Sequence, residues 1–554
     1  NFICIKVDRE ERPDIDSIYM TSLYTYNRLA GSRAGGGWPL SMFLTPDGEP
    51  FFGGTYFPAR DGDRGPTTGF LTIVQRVTEV WKEKPDNIKD DAKVIVAHTK
   101  AELEGARKAV LTEINEDLYL GVLPELADQF DEKHGGFGFL EEQPQKPKFP
   151  EPSNLVYLLD FARRYQDSEN AERKAEAANA RTMLVATLEK MSLGGIHDHL
   201  GGGFHRYSVD RYWRIPHFEK MLYDNGQLAS VYAQGFDLTQ REDFKRITRG
   251  ICDFVLREMT DQAGGFYAAI DADSEHEEGK FYRWEKEEVL KLLAADEAEL
   301  FSKVYGLTEE PNFEEKYYAP QLAQPLSAIA AGMKTTEADL EQRLAPIRAK
   351  LLAARSKRVR PLIDTKILTA DNGLMIGGLA DAGRILKEPR YIAAAEKAAE
   401  FVLANLRTKE GRLLRTYSGG QAKLNAYLND YAYLTDGLIR LHRATGDKRW
   451  LAAADEITAK QLELFADDAG GGFFFTSIDH ERLFTRAKDP VDGASPAGSS
   501  VSALNLLTLA RKLERPEYVK HAKGAIESVT AILEASPTAV PLMATAVPRL
   551  LEAK

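Results

Sequence analysis

Four of the chain's ten histidines, His197, His199, His205 and His217, fall within the stretch "GGIHDHLGGGFHRYSVDRYWRIPHFEKMLYDN". Imidazole titrates near neutrality, so a cluster of this density points to general acid–base chemistry. His197-x-His199 also has the spacing of two metal ligands, but no cysteine joins it, and hydrogen-bonded histidines are the simpler account. Pro216 suits a first helical position and Glu219 a first-turn carboxylate. A helix starting there sets His217, Lys220 and Asp224 on one stripe, at i, i+3 and i+7. A solvated face would show the same spacing; the histidine-rich glycine loop just before it, which carries Arg206, turns the reading toward a pocket.

The next polar loop, "DADSEHEEGKFYRWEKEE", gathers Asp271, Asp273, Glu275, Glu277 and Glu278 ahead of Phe281, Tyr282 and Trp284. Carboxylates beside aromatic faces are what a sugar ring needs, because its C–H faces stack and its hydroxyls hydrogen-bond. Paired carboxyls also perform glycosidic chemistry, at a separation that sequence does not state. A solvated acidic loop is the plain alternative. Further clusters precede helical runs: Arg360, Asp364, Lys366, Asp371 and Asn372; Asp430 and Tyr431; and Lys488 with Asp489. In "DGASPAGSS", helix capping accounts for Ser495, Ser499 and Ser500. Convergence of these helix starts on the histidine stretch makes one pocket. Its acid–base candidates are His199, His205, His217, Glu219 and Asp273. Its ligand-binding candidates are Arg206, Lys220, Asp224, Glu275, Tyr282, Trp284, Asp364, Lys366, Asn372, Asp430, Tyr431, Lys488 and Asp489.

The elements that must position these residues come in two kinds. Up to about residue 85 strand and helix signals mix: "FICIKVD" reads as a buried strand, "PLSMFLTPDGEPFFGGTYF" as two strands joined at Pro46-Asp47-Gly48, and "FLTIVQRVTEVWKEK" as an amphipathic helix. From about residue 115 long Ala-, Leu-, Glu- and Lys-rich helical stretches take over, at 154–166, 172–191, 226–259, 392–406 and 499–513. One device recurs between them, a polar turn followed by glycine and apolar residues, near Gly135, Gly202, Gly264, Gly411 and Gly471. The spacing leaves room for a further unit between Gly264 and Gly411. Six helical hairpins are implied, and closed in a ring they make an α/α toroid. An open helical array is the alternative; loops rich in aromatic, His and Asp residues favour closure around a pocket.

At 554 residues the chain exceeds one compact core, and its 43% hydrophobic and 28% charged content is that of a globular protein. A formal charge of −12 and the lack of any basic run argue against nucleic acid and anionic membranes as partners. No apolar run approaches a membrane span. Cys4 and Cys252 sit far apart in apolar surroundings, which predicts buried free thiols and a reducing, cytoplasmic setting. The chain opens on "NFICIKVD" without Met or leader pattern, as a chain beginning inside a domain would. No phosphate loop, dinucleotide fingerprint or G-x-S-x-G elbow occurs, so no cofactor is expected.

The motifs "VDREERPDID", "GGGWPLSMFLTPDGEPFFGGTYFP", "HFEKMLYDN", "DADSE", "EGKFY", "NGLMI" and "KDPVDGASPAGSSVSALNLL" resemble those of the thioredoxin-domain proteins of the spermatogenesis-associated protein 20 group, over nearly the whole length. The resemblance implies a thioredoxin-like domain at 1–105, incomplete at its N-terminus, then a six-hairpin (α/α)6 barrel at 115–554 similar to that of N-acylglucosamine 2-epimerases. Members of the group carry a Cys-x-x-Cys pair ahead of the strand matching "NFICIKVD", which this sequence does not include; Trp38-Pro39 matches the cis-proline position of the thioredoxin fold. The expected protein has a sugar-type pocket in its barrel, as a sugar epimerase, isomerase or hydrolase or as a binding protein, and a partner surface on its thioredoxin-like domain. The alternatives are a thiol-redox or redox-chaperone protein whose barrel binds a partner, and a non-catalytic scaffold.

Overall fold

Alternating apolar residues on either side of Pro46-Asp47-Gly48 fold as the expected hairpin. Ser41–Leu44 pairs antiparallel with Pro50–Gly54, and Gly48 takes a φ of 81° at the turn. The computed structural model describes residues 2–32, 34–104, 113–138, 142–143, 145–481 and 483–553. They fall into two units, Asn1–Val110 with Leu464–Asp489, and Leu111–Glu463 with Pro490–Lys554.

In the first unit the helices Pro13–Leu29 and Pro85–Leu103 pack on Pro50–Gly54, and Phe70–Glu83 is the expected amphipathic helix. Ile18, Leu23, Phe43, Ile73, Ile88 and Ile95 are among its buried apolar residues. The expectation of a buried strand at "FICIKVD" is corrected. Residues 2–8 form no strand, Ile3 is 92% exposed and Cys4 is exposed. β-propensity is realised only when a neighbouring strand completes the hydrogen bonds, and among the described residues none pairs with this run.

The second unit is a closed ring. The helices Pro152–Tyr165, Leu222–Thr239, Thr369–Leu386, Leu428–Thr445, Gly498–Leu513 and Pro541–Ala544 each pack on the next, and the last packs back on the first. Most continue into an outer antiparallel partner, as Leu222–Thr239 does into Glu242–Glu258. Inner helices are buried nearly all round, and glycines let them meet at backbone distance. A Cβ at Gly378 would lie 2.3 Å from the Gly226 carbonyl oxygen, and one at Gly373 2.5 Å from the Leu434 amide. The sixth inner helix is the short C-terminal Pro541–Ala544. It does not come from an added unit between Gly264 and Gly411, because that interval holds one ring hairpin, Thr369–Leu386 with Pro389–Asn405, and an inserted helical cluster over Lys286–Arg355 built on Trp284, Phe301, Leu340 and Leu351.

Two further readings are corrected. The stretch 226–259 is two helices, broken where Gln240 adopts a φ of 57°. No helix starts at Pro216: Pro216–His217 pairs with Tyr207–Ser208, Lys220–Met221 pairs with Ala269–Ile270, and the helix begins at Leu222. These strand partners come from distant sequence, and they impose a period of two where the local pattern reads as 3.6.

Candidate functional site

The glycine loops repeat one local geometry. At each, two residues six or seven apart bridge across the turn: Phe130 with Phe137, His197 with Phe204, Thr260 with Phe266, Arg407 with Leu413 and Ala466 with Phe473. In the ring unit each such loop follows the C-terminus of an outer helix and precedes an inner one, which puts those four at one end; the loop at Gly471 belongs to the first unit. The fourth residue of an inner helix locks its loop. The Asn225 amide accepts from Phe204 N and donates to Phe204 O, and Asn372 makes the same pair of bonds with Phe266. The Tyr431 hydroxyl accepts from Leu413 N in the matching position. Asn372 and Tyr431 therefore serve the framework of their loops.

The third residue of these helices is an aspartate in each case, Asp224, Asp371 and Asp430, and all three are buried. Asp430 is spent on structure: it accepts from Tyr427 N, from Ala370 N on the neighbouring helix and from the Arg415 guanidinium. Asp224 differs. It is 3% exposed, and its Oδ2 has no hydrogen-bond partner among the described residues. Burial raises its carboxyl well above the usual range, and the nearby charges of Glu219 and Asp371 add to this while Arg206 opposes it. A carboxyl so placed is shifted toward its protonated, hydrogen-bond-donating form.

Around Asp224 the expected residues Arg206, His217 and Glu219 come together. Arg206 Nη1 donates to Glu219 Oε2 at 3.0 Å, and His217 Nε2 lies 3.8 Å from the same oxygen. His217 Nδ1 is 2.7 Å from Glu278 Oε1, whose carboxyl that bond holds below its usual value. The imidazole stacks on Tyr207 at 5.0 Å, and the Tyr207 ring lies 4.8 Å from the exposed Phe149. Strand alternation explains the grouping, since His217 and Glu219 share one side while Phe218 and Lys220 point into the core. The site thus offers a buried carboxyl with a raised titration point, an imidazole oriented by a carboxylate, a guanidinium and aromatic rings. Sequence reasoning did not select Tyr207 or Glu278 as site residues. The repetition of "LYDN" as "TADN" at the next helix start was the available signal for the aspartate position.

The other expected residues lie elsewhere. Lys220 is 1% exposed and donates to Asp198 Oδ2 at 2.8 Å and to Gly202 O. Asp198 also takes both Nη groups of Arg355 at 2.8 Å. His205 is buried, 2.8 Å from Phe218 O by its Nδ1, and packs edge-on against Tyr282. His199 is buried against the Leu193 and Gly194 carbonyls. Burial drives His205 well below the usual imidazole range and pushes His199 down to about 4, so both stay neutral. His197 and His199 stand 4.7 Å apart, but among the described residues no third His, Cys, Asp or Glu completes a metal site with them. Trp284 is fully buried in the inserted cluster, with Arg358 over its ring. Asp273 and Glu275 are exposed on the small hairpin over 273–278, where Lys280 pairs with Glu275. Lys366 pairs with Asp364. Lys488 and Asp489 belong to the first unit, where Lys488 holds Asp467 and the Gly471 carbonyl and desolvation pushes the Asp489 carboxyl up to about 6.

A family model described as Thioredox_DsbH, protein of unknown function DUF255, matches residues 1–100. Spermatogenesis-associated protein 20 of Homo sapiens is 34% identical over 585 residues, which cover 99% of this chain and 71% of that protein. Uncharacterized protein B0495.5 of Caenorhabditis elegans is 35% identical, over 99% of this chain and 76% of its own. Among solved structures, cellobiose 2-epimerase from Bacillus thermoamylovorans B4167 is similar with a TM-score of 0.47 at 9% identity, over 75% of this chain and 86% of that one. An unsaturated glucuronyl hydrolase specific for heparin is similar with a TM-score of 0.44 at 10% identity, over 79% and 96%.

Proposed function

The chain belongs to the family of spermatogenesis-associated protein 20, and for this member we propose that the helix-N-terminal end of the ring binds a polyhydroxylated, sugar-type small molecule and moves a proton on it. The observation that carries the proposal is Asp224, a buried carboxyl with one oxygen that no described residue satisfies and with its titration pushed upward by burial. An unsatisfied buried polar atom costs about 1–3 kcal/mol, which a ligand or water hydroxyl offsets. Ser500 Oγ, at the third position of the inner helix Gly498–Leu513, is a second buried atom of this kind.

Asp224 then acts as proton donor, and His217 acts as acceptor through Nε2, its other nitrogen being held by Glu278. Arg206 with Glu219 supplies a charged hydrogen-bonding edge for hydroxyls. Positioned acid–base groups of this kind contribute roughly 10²–10⁴-fold each. Epimerisation and glycosidic cleavage both use such a pair, and the proposal is common to them.

The test is a thermal-shift screen of the full chain against monosaccharides, disaccharides and uronates, repeated on Asp224→Asn and His217→Ala. A hit at 100 times its Kd adds about 2.7 kcal/mol of stability. The reading requires that hits found with the native chain weaken in both variants; hits unchanged in both overturn it.

A further inference from the structure

A second polar cluster, apart from Asp224, surrounds a cleft with a volume of about 20 Å³, lined by Lys220, Arg257, Glu258, Tyr282, Arg355 and Arg360. That space holds one occupant the size of a water molecule or a single ion. Four of these side chains are cations. Among the described residues the carboxylates paired with them are two, Asp198 and Glu258, and both are already engaged. Asp198 accepts from Lys220, from both Nη groups of Arg355 and from the Leu200 and Gly201 amides. Glu258 accepts from Arg257 and Arg360. The Arg257 Nη2 and the second Lys220 hydrogen go to the Gly201 and Gly202 carbonyls. His205, packed beside Tyr282, is neutral and spends its Nδ1 on Phe218 O.

Donors are left over. Arg355 is 4% exposed, and its Nε–H has no acceptor among the described residues. Lys220, 1% exposed, makes two hydrogen bonds with its three N–H groups. The Tyr282 ring centroid lies 5.2 Å from the Arg355 guanidinium carbon and 5.1 Å from Lys220 Nζ, and the Tyr282 hydroxyl makes no hydrogen bond to another described side chain or backbone group. A water molecule accepts only two hydrogen bonds and must itself find acceptors, while this cleft has surplus donors and surplus positive charge. A small anion answers both.

We propose that the cleft between Lys220, Tyr282 and Arg355 is a binding site for a single halide ion, chloride under ordinary conditions. The surplus cation is costly without one: burial pushes the Lys220 ammonium down to about 8 even with Asp198 beside it. The bound ion would tie the glycine loop at Gly202, the helix Glu337–Arg355 and the loop at Tyr282 together, so it is a structural ion of the ring unit.

The experiment is thermal unfolding of the full chain in sodium chloride, sodium bromide or sodium gluconate at matched ionic strength. A saturable rise with chloride and bromide, absent with gluconate, is expected from mass action. Tyr282→Phe keeps the ring and removes one donor to a charged partner, so the half-saturating chloride concentration should rise about tenfold or more. Crystals of the native chain grown in sodium bromide should show an anomalous peak in the cleft, a readout that stands even if the variant does not fold. Equal stabilisation by gluconate, or no bromide peak in the cleft at saturating bromide, overturns the proposal.

Discussion

Replacing Asp198 by Asn should destabilise the ring unit strongly, with a pH dependence set by Lys220. The substitution keeps the shape and removes the charge that two buried cations share. Arg355 cannot shed its proton, and stranding a buried charge by removing its partner costs about 3–5 kcal/mol. Lys220 can shed one. Its ammonium sits at about 8 in the native chain, so giving up the proton at pH 7 costs about 1.4 kcal/mol, one pKa unit, and this caps its share. The sum is about 4–6 kcal/mol. Because the folded value of Lys220 lies below its unfolded value, the unfolded chain binds the extra proton, and stability rises with pH between the two. Losing Asp198 lowers the folded value further and opens that window at lower pH, so the penalty grows as pH falls below about 8. Urea unfolding followed by tryptophan emission, in which the buried Trp213, Trp284 and Trp450 report on the ring unit, measures both effects at fixed chloride. A penalty under about 1 kcal/mol at pH 7, or one that stays flat on either side of pH 8, would refute the reasoning. Joint replacement by Asp198→Leu, Lys220→Met and Arg355→Met should recover most of the loss.

Asp224 carries the opposite sign: its folded value is raised, so its contribution is present below the unfolded carboxyl value of about 3.9 and lost as pH rises through the folded one. Asp224→Asn should therefore gain in melting temperature over the native chain as pH rises from acid to neutral, and a gap independent of pH counts against the buried carboxyl. Asn372→Ala strands the Phe266 N–H and carbonyl and should cost about 2–4 kcal/mol in denaturant titration; Asn225→Ala should cost a similar amount at its own loop. Native protein should yield one fast thiol with a disulfide reagent, from the exposed Cys4, while Cys252, buried and with its thiol pushed up, reacts only on unfolding. Two fast thiols would contradict the packing of the helix Glu242–Glu258.

Much of the fold was legible because it is encoded locally or by repetition. The Pro46-Asp47-Gly48 hairpin, the helix Phe70–Glu83 and the glycine loops each announce themselves by composition; the count of six held, but its sixth inner helix is the C-terminal Pro541–Ala544 and not a unit between Gly264 and Gly411. The site was legible in part: Arg206, His217, Glu219 and Asp224 do gather, though not on the helix that the spacing around Pro216 suggested. The strands at Pro216–His217 and Lys220–Met221 exist because Tyr207–Ser208 and Ala269–Ile270 lie beside them, and no local window contains that fact.

Side-chain type and periodicity are properties of neighbours along the chain, so the residues able to do chemistry and most of the helical runs can be read from the sequence directly. Which polar groups are already spent depends on the folded ring. His205, Asn372 and Asp430 have the right chemistry for a pocket, yet each is buried against backbone or charged groups from beyond its own local window. Asp224 stands at the same helical position as Asp430, in nearly the same local sequence, and keeps an oxygen unused. A hydrogen bond is satisfied through space, so the difference between an aspartate that is fully engaged and one with an oxygen to spare appears only when the ring has closed.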